Sequence, residues 1–147
     1  MKITLRSAEQ ADFDFCFQAK QEAMGPHITA KWGWDEAFQR QFHHQRWLER
    51  PWFIILAEAQ PVGTVSIQWN DTHLRFSEFY LLAAFQRQGI GTQVLQSVLQ
   101  EADAKGLPAK LEYLKWNPVG SLYRRHGFEV VEENEIHYFL VRQPREP

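Results

Sequence analysis

The sequence predicts an α/β fold on two observations. Segments of helical and strand periodicity alternate in the order β-α-α-β-β-β-α-β-α-β-β, and 44% of the 147 residues are apolar, enough for a sizeable core. Neither a repeat, a low-complexity tract nor a linker interrupts the chain, so residues 1–147 are expected to form one domain.

Lys2 to Arg6 alternates Ile3 and Leu5 with polar neighbours and reads as a strand. The Ser7-x-x-Gln10 pair resembles a capping box and is expected to open a helix to about Met24, where Gly25-Pro26 stops it. A loop, His27 to Trp34, leads to Asp35, the N-cap of a second helix running to about Glu49 and ended by Pro51. Trp52 to Glu58, Val62 to Trp69 and His73 to Leu82 are strand-forming runs joined at Ala59-Gln60-Pro61 and Asn70-Asp71, which gives an antiparallel meander. Thr92 to Lys105 places Val94, Leu95, Val98, Leu99 and Ala102 on one helical face, and Gly106 with Pro108 stops it. Lys110 to Trp116 is then a strand, Val119 to His126 a short helix, and Phe128 to Val131 and Glu135 to Arg142 the last strands.

Composition excludes several functions. A net charge of −2 lacks the broad basic field of a nucleic-acid or membrane-surface protein. The longest strongly apolar run, Trp52 to Ala57, is far short of the roughly 20 residues that span a bilayer, and a cytoplasmic location is expected. One cysteine, Cys16, excludes a disulfide framework and reads as a core residue; no metal site is expected, because His43-His44 has no partner at i+4 and reads as a solvated helix face. Charge is uneven, however. Residues 74–126 carry 7 basic and 4 acidic side chains, so the middle of the chain is locally positive, as a site for an anionic cofactor requires.

The chemistry concentrates in Phe85-Gln86-Arg87-Gln88-Gly89-Ile90-Gly91-Thr92, between a strand and the long helix. Two glycines let backbone amides approach a ligand, and the helix start adds unpaired N–H groups and a positive dipole end, which suits a phosphate. The dinucleotide fingerprint fails because Val94 stands where a third glycine is needed, and the Walker loop fails for want of a Lys-Ser or Lys-Thr pair.

The pattern Gln-x-x-Gly-x-Gly resembles the pyrophosphate loop of the GCN5-related N-acetyltransferase (GNAT) superfamily. A second element, Asn117-Pro118-Val119-Gly120-Ser121-Leu122-Tyr123-Arg124-Arg125-His126-Gly127-Phe128, is similar to that superfamily's Asn, small residues, Leu-Tyr and Gly-Phe. The resemblance implies a mixed, mostly antiparallel sheet of six or seven strands with helices on both faces. It also implies acetyl-CoA as acyl donor, held by Arg87, Gln88, Gly89, Ile90, Gly91 and Thr92, with Leu81 and Leu82 offering backbone groups to the pantetheine arm and an amide to the thioester oxygen. Asn117 would bond the pantetheine and Tyr123 would protonate the departing thiolate. Ala83-Ala84 and Arg87 depart from the superfamily's proline and small residue without removing an amide donor.

An alkyl ammonium with a pKa near ~10 must lose a proton before attack. Glu112, five residues before Asn117, is similar to the glutamate base of ribosomal-protein acetyltransferases, and Glu78, four residues before Leu82, to that of histone-acetylating members; His137 is the third candidate. Trp32 and Trp34, flanking Gly33 beside Asp35, either contact an aromatic or cationic acceptor or anchor the helix. Together these imply direct transfer of acetyl to a primary amine; a non-catalytic acyl-CoA sensor of the same fold is the alternative. The acceptor stays open, the overall acidity tilting it towards cations, and the resemblance allows a homodimer.

Overall fold

The computed structural model describes residues 1–146. Its elements are β1 (Ile3–Ser7), α1 (Phe13–Trp32), α2 (Glu36–Glu49), β2 (Trp52–Ala57), β3 (Gln60–Trp69), β4 (Leu74–Leu81), α3 (Ile90–Ala104), β5 (Ala109–Leu114), α4 (Gly120–Arg125), β6 (Glu129–Glu133) and β7 (His137–Arg142). Short 3-10 turns precede α1 and follow β4. The strands form a seven-stranded sheet in the order β1-β2-β3-β4-β5-β7-β6, in which β4 and β5 pair parallel and the other registered pairs run antiparallel. The predicted sheet and element order are both realised.

The chain divides into two compact units, residues 1–67 with 78–91 and residues 68–77 with 92 onwards. In the first, Cys16 of α1 packs with Trp52 and Ile54 of β2, and its thiol is pushed up to about 11 by burial, so it is an inert core group. In the second, Val94, Leu95, Val98, Leu99 and Ala102 are buried as the helical periodicity requires. Arg142 of β7 clamps this unit: its guanidinium forms a two-pronged pair with Asp103 of α3 at 2.8 and 3.1 Å and donates to His126 O at 2.9 Å.

Two expectations fail near the amino terminus. Ser7 does not cap a helix; it extends β1, paired with Phe53, and the Asp12 carboxylate accepts instead from the Glu9 N–H at 2.8 Å. Gly25-Pro26 does not end α1, which continues to Trp32. A proline ring clashes with the Cβ of the residue before it, and Gly25 has none, while buried Met24 and Ile28 keep the helix on its core. The expected loop from His27 therefore shrinks to the turn at Gly33.

His43 is a third correction. It is not on a solvated face but 1% exposed, ringed by Phe13, Phe17, Trp47 and Trp52. Its Nε2 lies 3.1 Å from Phe13 O, so Nε2 carries the proton and the buried Nδ1 has no partner among the described residues. Burial lowers its pKa, because a charged ring would sit among aromatics. A base whose folded pKa is depressed contributes stability above its unfolded value, near ~6.5, that is lost as pH falls through the folded value. Thermal unfolding should therefore shift to lower temperature between pH 7.5 and 5.5, and this acid slope should flatten in His43→Phe.

Candidate active site

The glutamine-glycine segment is an exposed loop fixed from beneath. Gln86 Nε2 donates to Leu81 O at 2.9 Å and Gln88 Nε2 to Ala84 O at 2.8 Å, while Glu22 of α1 accepts from the Ala83 N–H at 2.9 Å. The glutamine side chains thus hold the loop. Arg87 and Gly89 take left-handed conformations, with φ of 63° and 82°. The N–H groups of Arg87, Gln88 and Gly89 meet no acceptor among the described residues, and buried Ile90 roots the start of α3. With the unpaired amides of Ile90, Gly91 and Thr92 in the first turn, this is a set of donors that fits a pyrophosphate.

The end of β4 supplies further backbone groups. Gly63 of β3 lies so close that a Cβ there would collide with Tyr80 O and Leu81. The Leu82 N–H donates to Val62 O at 2.9 Å, so it is committed to β3. Backbone groups alternate along a strand, which directs the Leu81 N–H and C=O to the other edge, where Gln86 already takes the carbonyl.

Glu78 sits where β4 bends, at a φ of 50°. Its carboxylate is 7% exposed and both oxygens are occupied: Oε1 by Arg50 Nη1 at 3.0 Å with Arg46 Nε at 3.9 Å, Oε2 by the Tyr80 hydroxyl at 2.8 Å. Lys20, buried on the core face of α1, lies over the Phe42 ring at 4.5 Å, as does Arg46 at 4.7 Å. Sequence reading missed Lys20, Arg46 and Arg50; the available signal was Lys20 itself, a charge on the stripe Cys16, Lys20, Met24. Trp34 packs on Phe17 and donates to Glu36 at 2.8 Å, the anchoring role, whereas Trp32 is 53% exposed at the end of α1.

In the second unit Tyr123 of α4 is buried against Tyr113, Phe76 and Phe128, with ring centroids 5.8, 6.4 and 5.7 Å away. Burial raises its pKa and Tyr113 adds in the same direction, so the hydroxyl stays protonated; it has no hydrogen-bond partner among the described residues. α4 approaches this closely because Gly120 has no Cβ to meet the Tyr113 hydroxyl. Asn117 Oδ1 accepts from the Val119 N–H at 3.1 Å and shapes the turn into α4.

Tyr113 and Glu112 are neighbours on β5 and therefore face opposite sides of the sheet. Glu112 Oε1 is paired with Arg75, while Oε2 has no partner among the described residues. His137 and Phe139 on β7, opposite Leu114 and Glu112, share that face. The structure thus groups Glu112 with Arg75, Phe139 and His137, and groups Glu78 with Arg46, Arg50 and Tyr80.

The family model of the GNAT acetyltransferases matches residues 13–128. The chain belongs to that family. Solved structures agree with this GNAT assignment at the level of fold. The PaiA N-acetyltransferase of Thermoplasma acidophilum, in complex with coenzyme A, superposes with a TM-score of 0.77 at 15% identity, covering 97% of this chain and 99% of that one. An acetyltransferase of Thermus thermophilus gives 0.75 at 14%, covering 97% of each chain, and the ribosomal-protein-alanine N-acetyltransferase of Escherichia coli gives 0.71 at 16%, covering 99% and 96%. Among curated protein sequences none matches.

Glu78 and Arg50 form a largely buried ion pair, which truncation of Glu78 in this GNAT protein removes. Glu78→Ala should lower unfolding stability by about 3–5 kcal/mol in urea titration, the range for a broken buried pair, and Arg50→Met in the same chain should recover part of it.

Proposed function

We propose that this GNAT protein is an acetyl-CoA-dependent N-acetyltransferase that transfers acetyl directly to a primary amine in a ternary complex. The observation that carries this reading is the exposed run of unmet amides from Arg87 into the first turn of α3. Acetyl-CoA supplies an acyl group already activated as a thioester.

The amides of Arg87, Gln88, Gly89, Ile90, Gly91 and Thr92 hold the pyrophosphate, where the helix dipole favours negative charge. The Leu81 N–H, directed away from β3, polarises the thioester oxygen, a part that the committed Leu82 N–H does not fill. Asn117 orients the pantetheine arm from the turn before α4. The Tyr123 hydroxyl, kept protonated by burial, delivers its proton to the leaving sulfur. Glu112 accepts the ammonium proton at Oε2, the oxygen that Arg75 leaves open, and His137 lies on the same face of the sheet. Glu78, with both oxygens engaged, positions rather than takes protons. On this reading the exposed Trp32 contacts the acceptor, and Trp34, bonded to Glu36 and packed on Phe17, anchors α2.

Three measurements test these assignments. In Gly89→Val a branched side chain must stand over the amides or the left-handed turn must open, so CoA affinity by calorimetry should fall at least about tenfold while the fold persists. Tyr123→Phe should lower kcat by on the order of 10² to 10⁴ with little change in CoA affinity. Glu112→Gln should depress kcat/KM most near neutral pH and recover as rising pH deprotonates the amine itself. Binding of CoA without thiol release on any amine would instead identify a module that holds acyl-CoA.

A further inference from the structure

The turn that carries the amide loop is capped from another element. Residues Ala83–Phe85 form a single 3-10 turn after β4, closed by the Phe85 N–H on Leu82 O at 2.9 Å and the Gln86 N–H on Ala83 O at 3.4 Å. Its N-cap is Leu82, which has no side-chain oxygen for the first N–H groups, so the turn lacks the local cap that serine or aspartate supplies. Glu22 of α1, 61 residues away in sequence, takes that part: its Oε1 accepts from the Ala83 N–H at 2.9 Å. The carboxylate is itself aimed, because Gln18, one helical turn earlier, donates from Nε2 to its Oε2 at 2.8 Å. Cys16, Phe17, Ala19 and Met24 root this stretch of α1 in the core.

The turn acts as a pedestal. Gln86 reaches back to Leu81 O and Gln88 to Ala84 O, so both glutamines that hold the loop hang from residues on either side of Ala83. Bonds of the 3-10 type hold a short turn weakly, and a carboxylate on its first N–H adds a charge-assisted bond. The sign of that group is informative. A carboxylate repels a pyrophosphate, so whatever Glu22 contributes to anion binding has to pass through the backbone it holds.

We propose that Glu22 is a positioning residue for acyl-CoA: by capping the turn at Ala83 it sets the orientation of the amides from Arg87 onward, so that cofactor affinity depends on a side chain of α1. The inference rests on the reading of residues 87–92 as the pyrophosphate loop and extends it to α1. Proline offers a way to bypass Glu22. Leu82, at φ −57° and ψ 145°, already has the conformation that precedes a proline, and Ala83 opens the turn, where a missing N–H costs least. Ala83→Pro therefore keeps the turn and removes the group that Glu22 satisfies.

Calorimetry with CoA and steady-state kinetics with acetyl-CoA test the proposal. Glu22→Ala should weaken CoA binding about tenfold, the order of a lost cap, and raise the KM for acetyl-CoA in proportion while kcat at saturation stays within about twofold. Glu22→Gln, which keeps an oxygen acceptor without its charge, should lose no more than about threefold. Ala83→Pro should bind CoA nearly as the parent does, and adding it to Glu22→Ala should restore most of the affinity. Unfolding temperatures should hardly move, because Ala83 is exposed. Tighter CoA binding in Glu22→Ala, equal losses in Glu22→Ala and Glu22→Gln, a double variant as weak as Glu22→Ala, or a marked fall in the unfolding temperature of Glu22→Ala overturns the proposal. If Gly89→Val loses CoA affinity and Glu22→Ala does not, this inference alone fails; if Gly89→Val binds CoA as the parent does, the reading of the loop fails and this inference with it.

Discussion

The buried carboxylate of Glu78 is the constraint around which the first unit is arranged. It sits where β4 adopts a left-handed residue, and a non-glycine residue holds that conformation only when its surroundings fix it. Here the fixing agents are Arg50, where α2 gives way to β2, Arg46 on α2 and the Tyr80 hydroxyl on the same strand. Helix α2 and the junction that follows it are thereby tied to the bend. The bend in turn decides how the next residues run: Leu82 returns to β3, Leu81 faces the other edge, and Gln86 and Glu22 then fasten the turn and loop that follow. A loop that presents amides to a ligand cannot bond them to itself, so its geometry has to be imposed by neighbours. Glutamine side chains do this at little conformational expense, since each reaches a carbonyl only four or five residues away.

The same bend gathers more positive charge than it neutralises. Whole-chain charge describes the field far from the protein, where screening over roughly 8 Å averages the surface. Within that distance the local groups decide, Lys20, Arg46 and Arg50 against Glu78. The chain is acidic because its first and last segments are, residues 127–147 carrying 5 acidic side chains against 2 basic ones.

What the sequence made legible divides along physical lines. The amide loop, the helix that follows and the Asn117–Phe128 segment were readable because backbone conformation dictated the residue type: glycine at a left-handed position, an apolar face at helical spacing, and Gly120 beneath Tyr113. The end of α1 was misread because the core contacts of Met24 and Ile28, on either side of Gly25-Pro26, outweigh the one intrahelical bond that Pro26 forfeits. His43 was illegible because a polar side chain on a core-facing stripe looks solvated until the facing helix is in place. Leu82 could not be separated from Leu81 without the partner strand, since alternation fixes which amide is free only after one is known to be paired. The fate of the two glutamates was decided by arginines 28 and 37 residues away in sequence, separations over which no local pattern acts.

Acid and base chemistry at one pH requires two groups whose environments differ, and the second unit provides that difference through strand alternation. Tyr113 turns inward and builds, with Phe76 and Phe128, the aromatic surround that keeps the Tyr123 proton in place. Its neighbour Glu112 turns to the other face, where it is partly open and paired with Arg75. Had both functional groups shared one face, an ionised carboxylate beside the tyrosine would have opposed release of its proton, since the phenolate left behind would face a like charge. On the proposed mechanism, separation across the sheet removes that conflict, and it follows from consecutive positions of a single strand: Tyr113 packs against the proposed acid, and Glu112 is the proposed base.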